Sequence, residues 1–180
     1  MKILGISGSL RKDSFNTRLL RTAISLAPDG VSIDAFDLSP IPLYNEDVRA
    51  AGFPPVVQQL RDAIRGADAL LFATPEYNYS VSGVLKNAID WASRPPDQPF
   101  AGKAAAVMGA STGLNGTVRA QAHLRQILLG VNVQCVNRPE VMVRSAADKF
   151  DATSLTDEKI RETVQQLVAA LVDWTNQIKR

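Results

Sequence analysis

Short apolar runs alternating with longer stretches of helical period are the feature that most constrains this chain. Each run is bounded by Gly, Pro, Asp or Ser, as a strand is. The stretches between them are long enough to bring the chain back parallel to its last strand only through a helix. Such alternation marks a parallel sheet covered by helices on both faces. It predicts five strands, at residues 2–7, 31–37, 67–74, 103–110 and 132–137, the last free to continue through 141–143. The first, third and fourth are nearly unbroken apolar runs, as strands buried on both faces should be. Residues 31–37 instead alternate strictly and read as an edge. The pattern fits strand order 2-1-3-4-5.

Helices are expected at residues 15–27, 55–65, 83–93, 117–129 and 155–179. In the last, Leu155, Ile160, Val164, Leu167, Val168, Leu171, Trp174 and Ile178 keep one face apolar, and Thr153, Ser154 or Thr156 is the expected N-cap. Arg94-Pro95-Pro96 ends the third helix, because proline cannot continue the ladder. The connections at residues 38–54 and 94–102 are the longest, and neither has a linker's composition. All 180 residues therefore read as one domain.

The chain is 46% hydrophobic and 21% charged, an ordinary globular balance. No apolar run approaches the roughly 20 residues of a membrane helix. The first strand follows Met1 at once with no signal-peptide core, so the expected location is the cytoplasm. Cys135 is the only cysteine, which excludes an intrachain disulfide and any cysteine-held zinc or iron–sulfur site in this chain alone. No metal site is expected. A net charge of +2, without a run of basic residues, argues against nucleic acid and favours small anions.

In an open parallel sheet, ligands sit outside the carboxyl ends of the strands where the strand order reverses. The loops after strands one, three and four therefore belong together. The first supplies Ser9, Arg11, Ser14, Asn16 and Thr17 at a helix N-terminus, groups suited to a phosphate dianion. It contains neither Gly-x-Gly-x-x-Gly nor a P-loop, which argues against a resident dinucleotide of the Rossmann kind and against a nucleotidase. The second, Pro75-Glu76-Tyr77-Asn78-Tyr79-Ser80, joins a stiff turn to aromatic and amide groups suited to a flat hydrogen-bonding ring. The third, Ser111-Thr112-Gly113, lets backbone approach a ligand closely.

At these residues the chain resembles the NADPH-dependent FMN reductase family, in its branch of quinone, chromate and azo-dye reductases. The likeness rests on Gly8-Ser9-Leu10-Arg11-Lys12 with Ser14-Phe15-Asn16, on Asp37-Leu38 with Leu43-Tyr44-Asn45-Glu46-Asp47, and on Pro75 to Ser80 with Gly83, Leu85-Lys86-Asn87-Ala88-Ile89-Asp90-Trp91. Ser82 and Asn115 depart from the commoner pattern, which has proline and glycine there. The resemblance implies a flavodoxin-like three-layer α/β sandwich that binds FMN tightly without a covalent bond. The phosphate would lie on Ser9, Arg11, Ser14, Asn16 and Thr17, with Phe15 also in contact with the cofactor. The ring would lie beside Pro75, Glu76, Tyr77 and Asn78 and beside Ser111, Thr112 and Gly113. It also implies a homodimer or homotetramer, with Asp90, Trp91, Val84, Leu85, Ala88 and Ala92 either at the subunit contact or in the internal core, and Tyr79, Arg119 and Glu140 linking dimers.

The expected activity is ping-pong hydride transfer from NADPH or NADH through FMN N5 to a small oxidant: a quinone, free flavin, azo compound or chromate. No catalytic side chain is required. His123, Cys135 and Trp174 read as surface or packing residues, and Glu76 either shapes the pocket's charge or positions backbone. The alternatives are a flavin-binding sensor or partner-binding module, and an electron-carrying flavodoxin. Against the carrier stands the net charge, since such carriers tend to be strongly acidic.

Overall fold

Strands made of small and branched apolar residues occupy the middle of the molecule. The computed structural model describes residues 1–179. In it β1 (Lys2–Ser7), β3 (Ala69–Ala73) and β4 (Ala104–Ala110) run parallel and adjacent, and every residue of β3 and β4 is buried. β2 (Ser32–Phe36) flanks β1 and fully buries only Ile33. On the other side β4 pairs with two short strands, β5 (Gln134–Cys135) opposite Ala104 and Ala105 and β6 (Val141–Val143) opposite Met108 to Ala110.

The order is thus the expected 2-1-3-4-5, with the fifth position filled in two pieces. After Val136 N–H bonds the Ala105 carbonyl at 2.8 Å, the Val136 carbonyl accepts from Arg125 Nη1, also at 2.8 Å. The next residues leave the sheet around Pro139, which has no N–H to give the ladder.

Helices cover both faces, as the strand alternation demands. α1 (Phe15–Ser25) closes one side of the sheet together with the C-terminal helix. α2 (Glu46–Ala50) is a single short turn in the loop after β2. α3 (Pro55–Gly66), α4 (Gly83–Ala92) and α5 (Val118–Gly130) close the other side, and α6 (Glu158–Ile178) completes the first. Within β3, Leu71 faces α1 and α6 while Leu70 and Phe72 face α3 to α5. At Gly109 of β4 any Cβ would collide with Thr117 Oγ1 and the Thr74 carbonyl, so only glycine lets α5 start this close to the sheet.

Three local expectations change. α6 starts at Glu158, capped by Asp157, whose carboxylate accepts from Ile160 N–H at 3.1 Å; Thr153, Ser154 and Thr156 do not cap it. Leu155 is held outside the helix, its N–H on Thr22 Oγ1 at 3.2 Å. The helix α2 was not expected, being too short to show a period; Asn45 caps it by accepting from Asp47 N–H at 2.8 Å.

The third change concerns α4. Leu85, Ala88, Trp91 and Ala92 lie in this chain's own core rather than on an open subunit face. The loop after β2 folds over them, and its Pro42 carbonyl accepts from Trp91 Nε1 at 2.9 Å and from Asn87 Nδ2 at 2.8 Å. No described helix is long and apolar enough to cross a membrane.

Candidate functional site

The carboxyl ends of β1, β3 and β4 open into a cavity of about 330 Å³ walled by the three loops that follow them. The first loop is shaped by Ser14. Its N–H closes a turn onto the Arg11 carbonyl at 3.1 Å, and its hydroxyl caps α1 by accepting from Thr17 N–H at 3.3 Å. Phe15 and Asn16 occupy the first turn, where backbone N–H groups have no carbonyl one turn earlier to bond. Ser9 Oγ accepts from Arg11 N–H at 3.4 Å. The guanidinium groups of Arg11 and Arg18 lie 5.3 and 5.5 Å from the Phe15 ring centre. A helix N-terminus with a free arginine beside it is an anion site.

The loop after β3 is a two-residue hairpin. Tyr77 and Ser80 exchange both backbone hydrogen bonds at 3.0 Å around Asn78 and Tyr79, whose φ values of 49° and 67° are those a type I′ turn needs. Asparagine tolerates this region and tyrosine rarely enters it. The Arg119 guanidinium lies 4.0 Å from the Tyr79 ring centre. Glu76 fixes the loop from the other side. One carboxylate oxygen accepts from the Arg119 and Ala120 N–H groups at 2.9 and 3.1 Å, and the other from Arg119 Nη1 at 3.3 Å. Glu76 therefore caps α5 from another loop, at the end where a negative charge is favoured.

The loop after β4 turns on Ser111, whose hydroxyl accepts from Gly113 N–H at 3.1 Å and whose own N–H bonds Val143 at 2.9 Å. Two buried side chains tie this rim together. Asn16, only 3% exposed, donates to the Ala110 carbonyl at 3.0 Å and accepts from the Ala110 N–H at 2.9 Å. Ser82 caps α4 by accepting from Leu85 N–H at 3.2 Å and donates to the Gly8 carbonyl at 2.5 Å. The phosphate loop is thus bonded to both ring loops with no ligand in between.

Of the expected ligand residues, Ser9, Arg11, Ser14, Phe15, Asn16, Pro75, Glu76, Tyr77, Ser111 and Thr112 line the cavity. Thr17, Asn78 and Gly113 do not. Thr17 Oγ1 pairs with Ser7 Oγ at 3.0 Å behind the first loop, Asn78 forms the hairpin tip, and Gly113 turns the chain beyond Ser111. Asn16 borders the site with its amide already committed to Ala110. The lining residue that sequence reasoning missed is Ala110, since nothing about an alanine at a strand end marks it. The clasp made by Ser82 left one trace, a serine just before a helix.

His123 is exposed, its Nδ1 3.0 Å from Ser80 Oγ. Cys135 is partly buried on the far strand, and burial pushes its thiol up.

The family model for NADPH-dependent FMN reductases matches residues 1–148. This chain belongs to that family. An NAD(P)H-dependent FMN reductase of Pseudomonas aeruginosa is 60% identical over 180 residues, covering 99% of this chain and 97% of the relative. A quinone reductase of Escherichia coli K12 is 43% identical over 183 residues, covering 100% and 96%. Among solved structures, a flavoenzyme NAD(P)H:acceptor oxidoreductase from Paracoccus denitrificans superposes with a TM-score of 0.89 at 40% identity, covering 98% of this chain and 97% of that one.

The cavity suits the cofactor of an FMN reductase. Its α1 end gathers a cation, hydroxyls and free N–H groups for a phosphate dianion. The other end is a slot between Pro75, Tyr77 and the Ser111 loop, shaped for a planar ring.

Proposed function

We propose that this NAD(P)H-dependent FMN oxidoreductase passes electrons to a quinone, with free flavin, azo compounds and chromate as further acceptors. When bound, FMN supplies the redox chemistry, taking hydride from the reduced nicotinamide and releasing electrons to the acceptor. The chain's residues hold and orient it. Ser9, Ser14, Arg11 and the first-turn N–H groups of α1 take the phosphate. Pro75 and Tyr77 would pack against the ring, and Ser111 and Thr112 would offer hydroxyls and backbone to its polar edge. Glu76, the acid lining the cavity, is committed to α5 and moves no proton. The nicotinamide and the acceptor would take turns at the same exposed face of the flavin, hence ping-pong kinetics.

The observation that carries this reading is the phosphate loop hydrogen-bonded to both ring loops, which builds the whole site in advance. The test is to purify the protein, record the absorption of bound oxidised FMN, bleach it anaerobically with NADPH or NADH, and restore it with a benzoquinone. Bleaching and recovery in the absence of any second protein separate an enzyme from a carrier or a sensor. A colourless protein that takes up no FMN sinks the proposal.

Self-association as a homodimer or homotetramer belongs to the same reading. It is supported by large apolar residues left exposed, among them Leu43 at 85% and Leu114 at 79% exposure. A cytoplasmic location follows from the supply of reduced nicotinamide.

A further inference from the structure

A second cavity, of about 300 Å³, opens on the same rim just behind the phosphate loop. It shares Ser9 with the first cavity, and the hydrogen-bonded hydroxyls of Ser7 and Thr17 belong to its lining. The space exists because small side chains meet at the sheet edge. Ala35, an exposed residue of the edge strand β2, lies opposite Gly5 of β1, and larger chains there would fill the gap against α1. Leu10, Leu20 and Ile24 give it apolar walls, with Ala35 as the floor at the strand edge.

Two charged groups complete it. Arg21 lines the cavity and makes no ion pair or side-chain hydrogen bond among the described residues. Asp37 stands at the carboxyl end of β2, where a carboxylate in an open α/β sheet can receive the hydroxyls of a ribose. The Ser39 hydroxyl and amide bond its two oxygens at 2.6 and 2.9 Å, and these bonds hold the carboxyl below its usual range and so anionic.

We infer that this second cavity is an adenylate subsite, with the base against Leu10, Leu20 and Ile24, the ribose on Asp37 and a phosphate on Arg21. The inference rests on the flavin reading above, since the cavity begins where the FMN phosphate would end. Two dinucleotides carry this group: FAD held in place of FMN, and the nicotinamide donor.

Binding measurements on the native protein, Ala35→Trp, which fills the groove, and Arg21→Gln distinguish the sources. Apoprotein is titrated with FMN and with FAD by flavin fluorescence, and FMN-loaded protein with NADP⁺ by calorimetry. If FAD supplies the adenylate, both variants weaken FAD at least about tenfold and leave FMN unchanged. If the nicotinamide donor supplies it, NADP⁺ binding to the loaded protein falls about tenfold and FAD does not move. If neither moves while FMN still binds tightly, the subsite is overturned and the flavin reading stands. Native protein that takes up neither flavin instead overturns the flavin reading.

Discussion

Two residues of one loop, Arg11 and Asn16, look alike in sequence, as polar groups next to a phosphate, and act differently in the fold. The Arg11 side chain is exposed at the cavity and free to meet an anion. The Asn16 amide is spent on Ala110, 94 residues away. Substituting each with alanine and titrating FMN against riboflavin, which lacks the phosphate, separates the roles. Arg11→Ala should weaken FMN by about 1.5–3 kcal/mol, the worth of a charge-assisted bond, and leave riboflavin alone. Asn16→Ala should weaken both by a similar factor, because it releases the Ser111 loop, leaving a buried carbonyl and N–H unpaired at about 1–3 kcal/mol. Loss confined to FMN in the second variant would instead put Asn16 on the phosphate. At Asp151, hydrogen bonds from Ser154 and Thr153 lower the carboxyl from 3.8 to about 2. Its contribution to stability is therefore present above the unfolded value and lost as pH falls through about 2. Asp151→Asn should unfold more readily than the native protein at neutral pH, and denaturation curves of the two should converge toward pH 2.

At the level of elements, burial of charge decides which connection is rigid. Arg61 of α3 is 1% exposed, and its guanidinium donates to the carbonyls of Ala92 and Arg94, both at 2.7 Å, and of Asp97 at 3.0 Å. It pins the loop between α4 and β4, at the end of the sheet away from the cavity. Arg61→Ala strands three carbonyls and should cost about 3 kcal/mol in chemical denaturation, with FMN affinity unchanged.

The same elements show what sequence could reveal. Strand order, the paired helix faces and the meeting of three loops at one cavity were legible because each rests on local apolar period or turn chemistry. The start of α6 was not, because Leu155 continues the apolar period and is claimed by Phe150 and Thr22 from elsewhere in the fold. Nor was the placement of Thr17, whose hydroxyl is paired with that of Ser7 in the second cavity. Glu76 could be read as pocket charge or as an anchor, and only the position of α5 decides for the anchor. Long-range partners of single side chains leave no periodic trace.

For the whole molecule, the loop after β2 settles how α4 can be used. By covering Trp91 it removes the core-facing side of α4 from any subunit contact, while Leu43 of the same loop and Leu114 of the loop after β4 stand exposed. If they are where copies meet, Leu43→Asp should lower the oligomer's mass in sedimentation velocity while FMN-binding stoichiometry stays the same; an unchanged mass would place the contact elsewhere. The two margins of the sheet bear on association as well. β2 carries Ser32 and Asp34 outward, and β5 offers only two residues before the chain leaves the ladder. Neither border gives a long, flat row of free amides and carbonyls for a foreign strand to zip onto. What these margins leave for a contact between copies is side chains and loops rather than a long strand edge.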